Sequence, residues 1–76
     1  MRDLIEYIAK SIASYPDDVN VTEEEDGEGR VILSLEVSQD DKGKVIGRHG
    51  RVAQSMRSLL RVASVKKGQR TVLDIV

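Results

Sequence analysis

Only four residues, Gly47-Arg48-His49-Gly50, separate two runs of helical periodicity, and no other feature constrains the fold of this chain as much. Upstream, Lys44-Val45-Ile46 closes one short segment. Downstream, Val52, Ala53, Met56, Leu59, Leu60 and Ala63 share one stripe at three-and-four spacing, while Arg51, Gln54, Arg57, Ser58 and Arg61 take the remaining faces. That stripe predicts a helix over residues 51–66. Glycine adopts backbone angles closed to other residues and lets a second backbone come close, so a Gly-x-x-Gly bend can turn the chain directly from one helix into the next. The amides that open a helix have no acceptor within it. The reading therefore expects free donors at this corner, ringed by Arg48, His49 and Arg51. Such a corner suits a phosphodiester backbone. A tight turn with no ligand is the plain alternative.

The remaining segments can be read in order. Leu4, Ile5, Ile8 and Ile12, joined by Ala9 and Tyr15, form an apolar stripe that predicts a helix over residues 2–14, stopped by Pro16. Val19 and Val21 alternate with Asn20 and Thr22, and extended chain is expected over residues 19–25. Asp26-Gly27-Glu28-Gly29 is hairpin turn chemistry. Residues 30–37 are the clearest strand, with Val31, Leu33, Leu35 and Val37 on one face and Ile32 as the exception on the other. Ser38-Gln39-Asp40-Asp41 has the form of a capping box, which predicts a short helix from residue 39 to Ile46. Lys66 and Lys67 complement the dipole at the end of the long helix, and Gly68 stops it. Residues 70–76 read as a final strand with Thr71, Leu73 and Ile75 inward. The hairpin must pair antiparallel, and a strand–helix–helix–strand crossover pairs most easily in parallel. The expected architecture is α+β: a mixed three-stranded sheet with three helices packed on one face, forming one domain over residues 1–76.

Charge points to a partner only through its distribution. Residues 1–41 carry three basic side chains against twelve acidic ones, a net of −9; residues 42–76 carry nine basic ones against Asp74 alone, a net of +8. Asymmetry between halves hints at nucleic-acid or membrane contact, or at two solvated surfaces that attract another copy of the protein. There is no cysteine, so disulfides, thiolate zinc sites and thiol nucleophiles are excluded. A single histidine and no His/Asp/Glu group at metal-ligand spacing leave no metal centre to expect, and no cofactor. The P-loop and dinucleotide fingerprints are missing. An enzyme is not expected. No apolar run reaches the roughly 20 residues of a membrane span and no signal-peptide pattern opens the chain, so the expectation is a cytoplasmic protein without membrane contact.

Val45-Ile46-Gly47-Arg48-His49-Gly50-Arg51-Val52 resembles the Val-Ile-Gly-x-x-Gly-x-Ile core of KH domains, with Val52 in place of isoleucine. The element order, αββααβ, is similar to the type II, bacterial-style KH arrangement. Tyr7, Pro16, the run from Gly43 to Gly47 and the ending Arg70-Thr71-Val72-Leu73-Asp74-Ile75 also resemble the small bacterial stand-alone KH proteins of the KhpA family. The resemblance implies a loop at residues 47–50 that clamps about four nucleotides of single-stranded RNA or DNA. It implies an RNA chaperone or post-transcriptional regulator, self-association as a homodimer, and pairing with a second KH-containing RNA-binding protein.

On that reading the RNA-binding set is Lys44, Val45, Ile46, Gly47, Arg48, His49, Gly50 and Arg51. Arg48 is the prime phosphate ligand, Lys44 and Arg51 add sequence-independent attraction, and His49 contributes when protonated. Val45 and Ile46, with Leu33 and Val37, offer an apolar floor for bases, against plain core packing as the alternative for each. No aromatic lies near the bend, which implies weak binding by one domain and a gain from a second linked unit. The competing reading is a protein-interaction or dimerisation module whose glycine loop is only a turn. Ile32 and Tyr15 would then belong to its contact surface.

Overall fold

The computed structural model describes residues 2–76; Met1, the first residue of the expected domain, lies outside them. The chain runs α1 (Arg2–Ile12), β1 (Asn20–Glu25), β2 (Arg30–Glu36), α2 (Lys42–Ile46), α3 (Arg51–Lys67) and β3 (Arg70–Ile75). Short 3-10 turns stand at Pro16–Asp18, Gln39–Asp41 and Arg48–Gly50. This is the expected αββααβ order. The alternating strand β2 lies at the centre of the sheet, antiparallel to β1 and parallel to β3. The parallel pairing follows from the crossover through α2 and α3, which returns the chain to the same end of the sheet.

One face of the sheet carries the core. Val21, Val31, Leu33, Leu35 and Leu73 meet Ile5 and Ala9 from α1, Val45 from α2, and Met56 and Leu60 from α3. With no Phe or Trp available, interlocking aliphatic side chains do all of this packing. The other face, with Ile32 between Glu24 and Val72 in the register, is partly exposed. The hairpin closes as its turn chemistry requires. The Asp26 carboxylate accepts the amides of Glu28 and Arg30, each at 3.0 Å, and pairs with the Arg30 guanidinium at 2.7 Å. The Arg30 amide foremost holds that carboxyl below its usual range.

Three local expectations need correction. The α1 stripe is narrower than its periodicity implies: Ile5 and Ala9 are buried, while Leu4, Ile12 and Tyr15 are exposed. In α3, Leu59 likewise faces outward. The sheet beneath them has only three strands, and only the residues directed at it are buried. The capping box at Ser38 does not form, because no side-chain cap bond is made there. Asp41 is instead fully buried and accepts the amides of Ser14 and Tyr15, each at 3.0 Å. A carboxylate expected to serve its own helix bolts the end of α1 to the start of α2. The Ser14 amide is the largest influence that lowers its pKa; burial opposes it, and the Tyr15 amide and Lys44 add to the lowering.

Candidate nucleic-acid interface

The corner between α2 and α3 is made by backbone geometry before any side chain is considered. Gly47 has φ 79° and ψ 170°, a region closed to residues with a Cβ. Space forbids a side chain there too: a Cβ on Gly47 would stand 2.5 Å from Val52 Cγ2 and 2.8 Å from the Val52 amide nitrogen. The bend is thus tight because Val52 packs onto the bare Gly47 backbone. Gly50, at φ 72° and ψ 16°, is left-handed but faces open space. His49 between them is left-handed as well, at φ 57°, a conformation that histidine enters more readily than most residues.

Two of the backbone donors at this corner are already engaged. The Gly50 amide donates to the Gly47 carbonyl at 3.1 Å and the Arg51 amide donates to the Arg48 carbonyl. The amides of Gly50 and Arg51 are therefore spent inside the 3-10 turn. Gly47 itself donates back to Gly43 at 2.8 Å and ends the α2 ladder. The amides of Arg48 and His49 follow the break at Gly47 and precede the first donor of the turn, so neither ladder uses them. Both residues lie on an exposed corner.

The side chains divide in the same way. Arg48, His49 and Arg51 are exposed, and among the described residues none of them makes an ion pair. Ile46 is 41% exposed beside the bend. Val45 and Leu33 are fully buried in the core, and Val37 is nearly so. That removes Val45 from the contact surface and leaves Ile46 as the apolar element. Lys44 is also committed elsewhere. Its ammonium hydrogen-bonds the Ser14 hydroxyl and lies 3.6 Å from the Asp41 carboxylate, so its charge serves the α1–α2 junction first.

A second basic feature emerges only on folding. Gly50, Gln54, Arg57 and Arg61 follow one another at four-, three- and four-residue steps along α3, and so share one face. Beyond them α3 and β3 enclose a groove of ≈ 430 Å³, lined by Arg30, Arg57, Arg61 and Arg70 among others. Sequence reasoning found Arg57 and Arg61 but not their association with Arg30 and Arg70. Those two open β2 and β3 and face each other in the parallel register, a pairing with no signature along the chain. Among the described residues no group of His, Cys, Asp or Glu is placed to hold a metal ion, and no helix is long and apolar enough to cross a membrane.

The family profile described as KhpA/KhpB, KH domain, matches residues 2–75. The RNA-binding protein KhpA of Clostridium acetobutylicum is 45% identical over 76 residues, covering 100% of both chains. That of Clostridium perfringens is 43% identical with the same full coverage. The KhpA of Borreliella burgdorferi is 45% identical over 74 residues, 97% of this chain and 89% of the relative. No solved structure matches the chain at a significant level.

Proposed function

The chain belongs to the KhpA/KhpB family of KH domains, and from that membership we propose that it binds single-stranded RNA through the glycine bend at residues 47–50. One observation carries the assignment to this corner: an exposed break between two helices where two backbone amides lie outside the internal ladders and, among the described residues, two guanidinium groups make no ion pair. A phosphate oxygen takes the amides of Arg48 and His49. Arg48 closes over it, and Arg51 adds attraction from the first turn of α3. Gly50 leaves room for the strand, because nothing of the protein lies within 4 Å of where its side chain would be. Ile46 supplies the aliphatic surface for a base.

The proposed activity is binding rather than catalysis, by one type II KH unit in the cytoplasm. With no aromatic at the bend to stack on, a single unit binds weakly. Action as an RNA chaperone or post-transcriptional regulator then calls for a second KH unit, in a homodimer or in a KH-containing partner, where linked weak sites gain avidity.

The test is Arg48→Asp combined with His49→Asp, which reverses charge where phosphate is to sit. Both side chains are exposed, so the fold is kept. The expected result is an unchanged circular dichroism spectrum with loss of RNA binding, measured by fluorescence anisotropy on a short oligouridylate. Parental binding should also weaken as salt rises, with a log–log slope of about −0.7 per phosphate contact. A folded double variant that holds RNA as well as the parent removes the clamp.

A further inference from the structure

We propose that the outer edge of β1 is a docking site for an extended, lysine- or arginine-rich protein segment, which joins the sheet as a further strand. β1 stands at the margin of the three-stranded sheet and pairs only with β2. The phase of that pairing fixes which of its main-chain groups are left over. The Asp26 amide donates to the Arg30 carbonyl at 2.9 Å, one step past the end of the ladder. In an antiparallel pair, alternate residues turn both N–H and C=O toward the partner, and those between turn them away. Asn20, Thr22 and Glu24 therefore face β2, while Val21, Glu23 and Glu25 face outward. Arg2 gives the same phase independently, because its Nε donates to the Val21 carbonyl at 2.7 Å. That bond closes the edge at Val21. Among the described residues no such bond reaches the outward groups of Glu23 or Glu25.

Charge decides what can lie along this open edge. Glu23, Glu24 and Glu25 are exposed, and among the described residues none makes an ion pair. Alternation puts Glu24 on one side of the sheet and Glu23 and Glu25 on the other, so an added strand meets carboxylates from both faces. A second copy adding its own β1 would set glutamates against glutamates, and like charges directly opposite each other destabilise a strand pair. The β3 strand of a second copy offers Arg70 but also Asp74, and its Leu73 carbonyl is already taken by Arg57 at 3.3 Å. A cationic segment answers both the open main-chain groups and the carboxylates. Backbone bonds hold it, and its alternate basic side chains fix the register. With two open residues the site is short, and its exposed ion pairs are screened by salt. It shares no residue with the bend at 47–50, so the inference stands apart from the RNA reading.

The probe is an eight-residue peptide of alternating Lys and Thr, capped at both ends and added to the whole protein. Hydrogen exchange of single amides is read by NMR. In the free protein the amides at positions 22 and 24 should exchange slowly, inside the ladder, and those at 23 and 25 fast. The peptide should slow exchange at Glu23 and Glu25 selectively. Glu23→Gln, Glu24→Gln and Glu25→Gln together should weaken its binding about tenfold, roughly a factor of two for each exposed ion pair. Slow exchange at positions 22 and 24 shows that the triple variant is folded. The same peptide N-methylated along its backbone keeps its charge but has no donors, and should lose binding. No binding of the Lys-Thr peptide overturns the proposal, as does equal affinity for parent and triple variant. So does a bound peptide that leaves Glu23 and Glu25 exchanging fast, or an N-methylated peptide that binds as tightly, because charge alone would then attract it. Oligouridylate binding, measured separately, bears only on the bend.

Discussion

Replacing Gly47 by Ala tests the geometry on which the interface depends. Two separate costs fall on that methyl group. At φ 79° and ψ 170° the backbone is in a region that only glycine enters freely, and holding a side chain there costs about 1–3 kcal/mol. The new Cβ also stands 2.5, 2.8 and 2.9 Å from Val52 Cγ2, N and Cβ. Two of these contacts are with a backbone nitrogen and a β-carbon, which cannot rotate away. Overpacking of this kind costs about 1–3 kcal/mol. The sum, about 2–6 kcal/mol, compares with a total stability of roughly 4–11 kcal/mol for a chain of this length. Gly50→Ala is the internal control. It too is left-handed, at φ 72°, but nothing lies within 4 Å of the added methyl, so its cost is the conformational one alone, about 1–2 kcal/mol. Urea unfolding followed by circular dichroism should rank parent, Gly50→Ala and Gly47→Ala in that order. The Gly47 variant should melt at least 8 °C below the parent, at about 4 °C or more per kcal/mol for a domain of this size. If the two alanine variants are equally stable, the packing of Val52 against Gly47 is not what shapes the bend.

Two further outcomes follow from the buried residues. Asp41 has its pKa lowered in the fold, chiefly by the Ser14 amide, so its contribution is present above the unfolded value near 3.9 and is lost as pH falls through the folded value. Asp41→Asn should therefore be less stable than the parent at pH 7, with the gap narrowing in acid; a gap that stays constant from pH 7 to pH 2.5 contradicts the role given to the carboxylate. Leu60→Ala removes a fully buried side chain between α3 and the sheet and should cost about 2–5 kcal/mol in denaturant titrations, whereas Leu59→Ala, on the exposed side of the same turn, should cost less than about 1 kcal/mol.

Much of the fold was legible because periodicity reports directly on local geometry. The alternation of Val31, Leu33 and Leu35 identified β2 and its inward face, and Gly68 marked the end of α3, where its left-handed conformation lets its own amide and that of Gln69 close the helix. The 47–50 bend was equally visible, since nothing but glycine serves at the first position. What periodicity could not report was the extent of burial. Ser64 stands outside the apolar stripe, yet it is buried, with its hydroxyl on that of Thr71 at 2.5 Å. Leu59 fits the stripe and is exposed. A stripe says which residues share a side of a helix; how much of that side is covered depends on the width of the sheet beneath.

The candidate interface divides along the same line. Glycine spacing and the concentration of basic residues after residue 41 are properties of the chain, and they located the corner and its charge. Which groups at that corner are free is a property of packing. Val45 was withdrawn into the core, Lys44 was drawn to Ser14 and Asp41, and the 3-10 turn consumed the amides of Gly50 and Arg51. The four-arginine groove exists because a parallel pairing sets Arg30 beside Arg70 and lays α3 alongside. Local sequence sets backbone preferences within a few residues. Availability for a ligand depends on neighbours tens of residues away, such as Ser14 for Lys44 and Arg70 for Arg30, and those meet only when the chain has closed on its core.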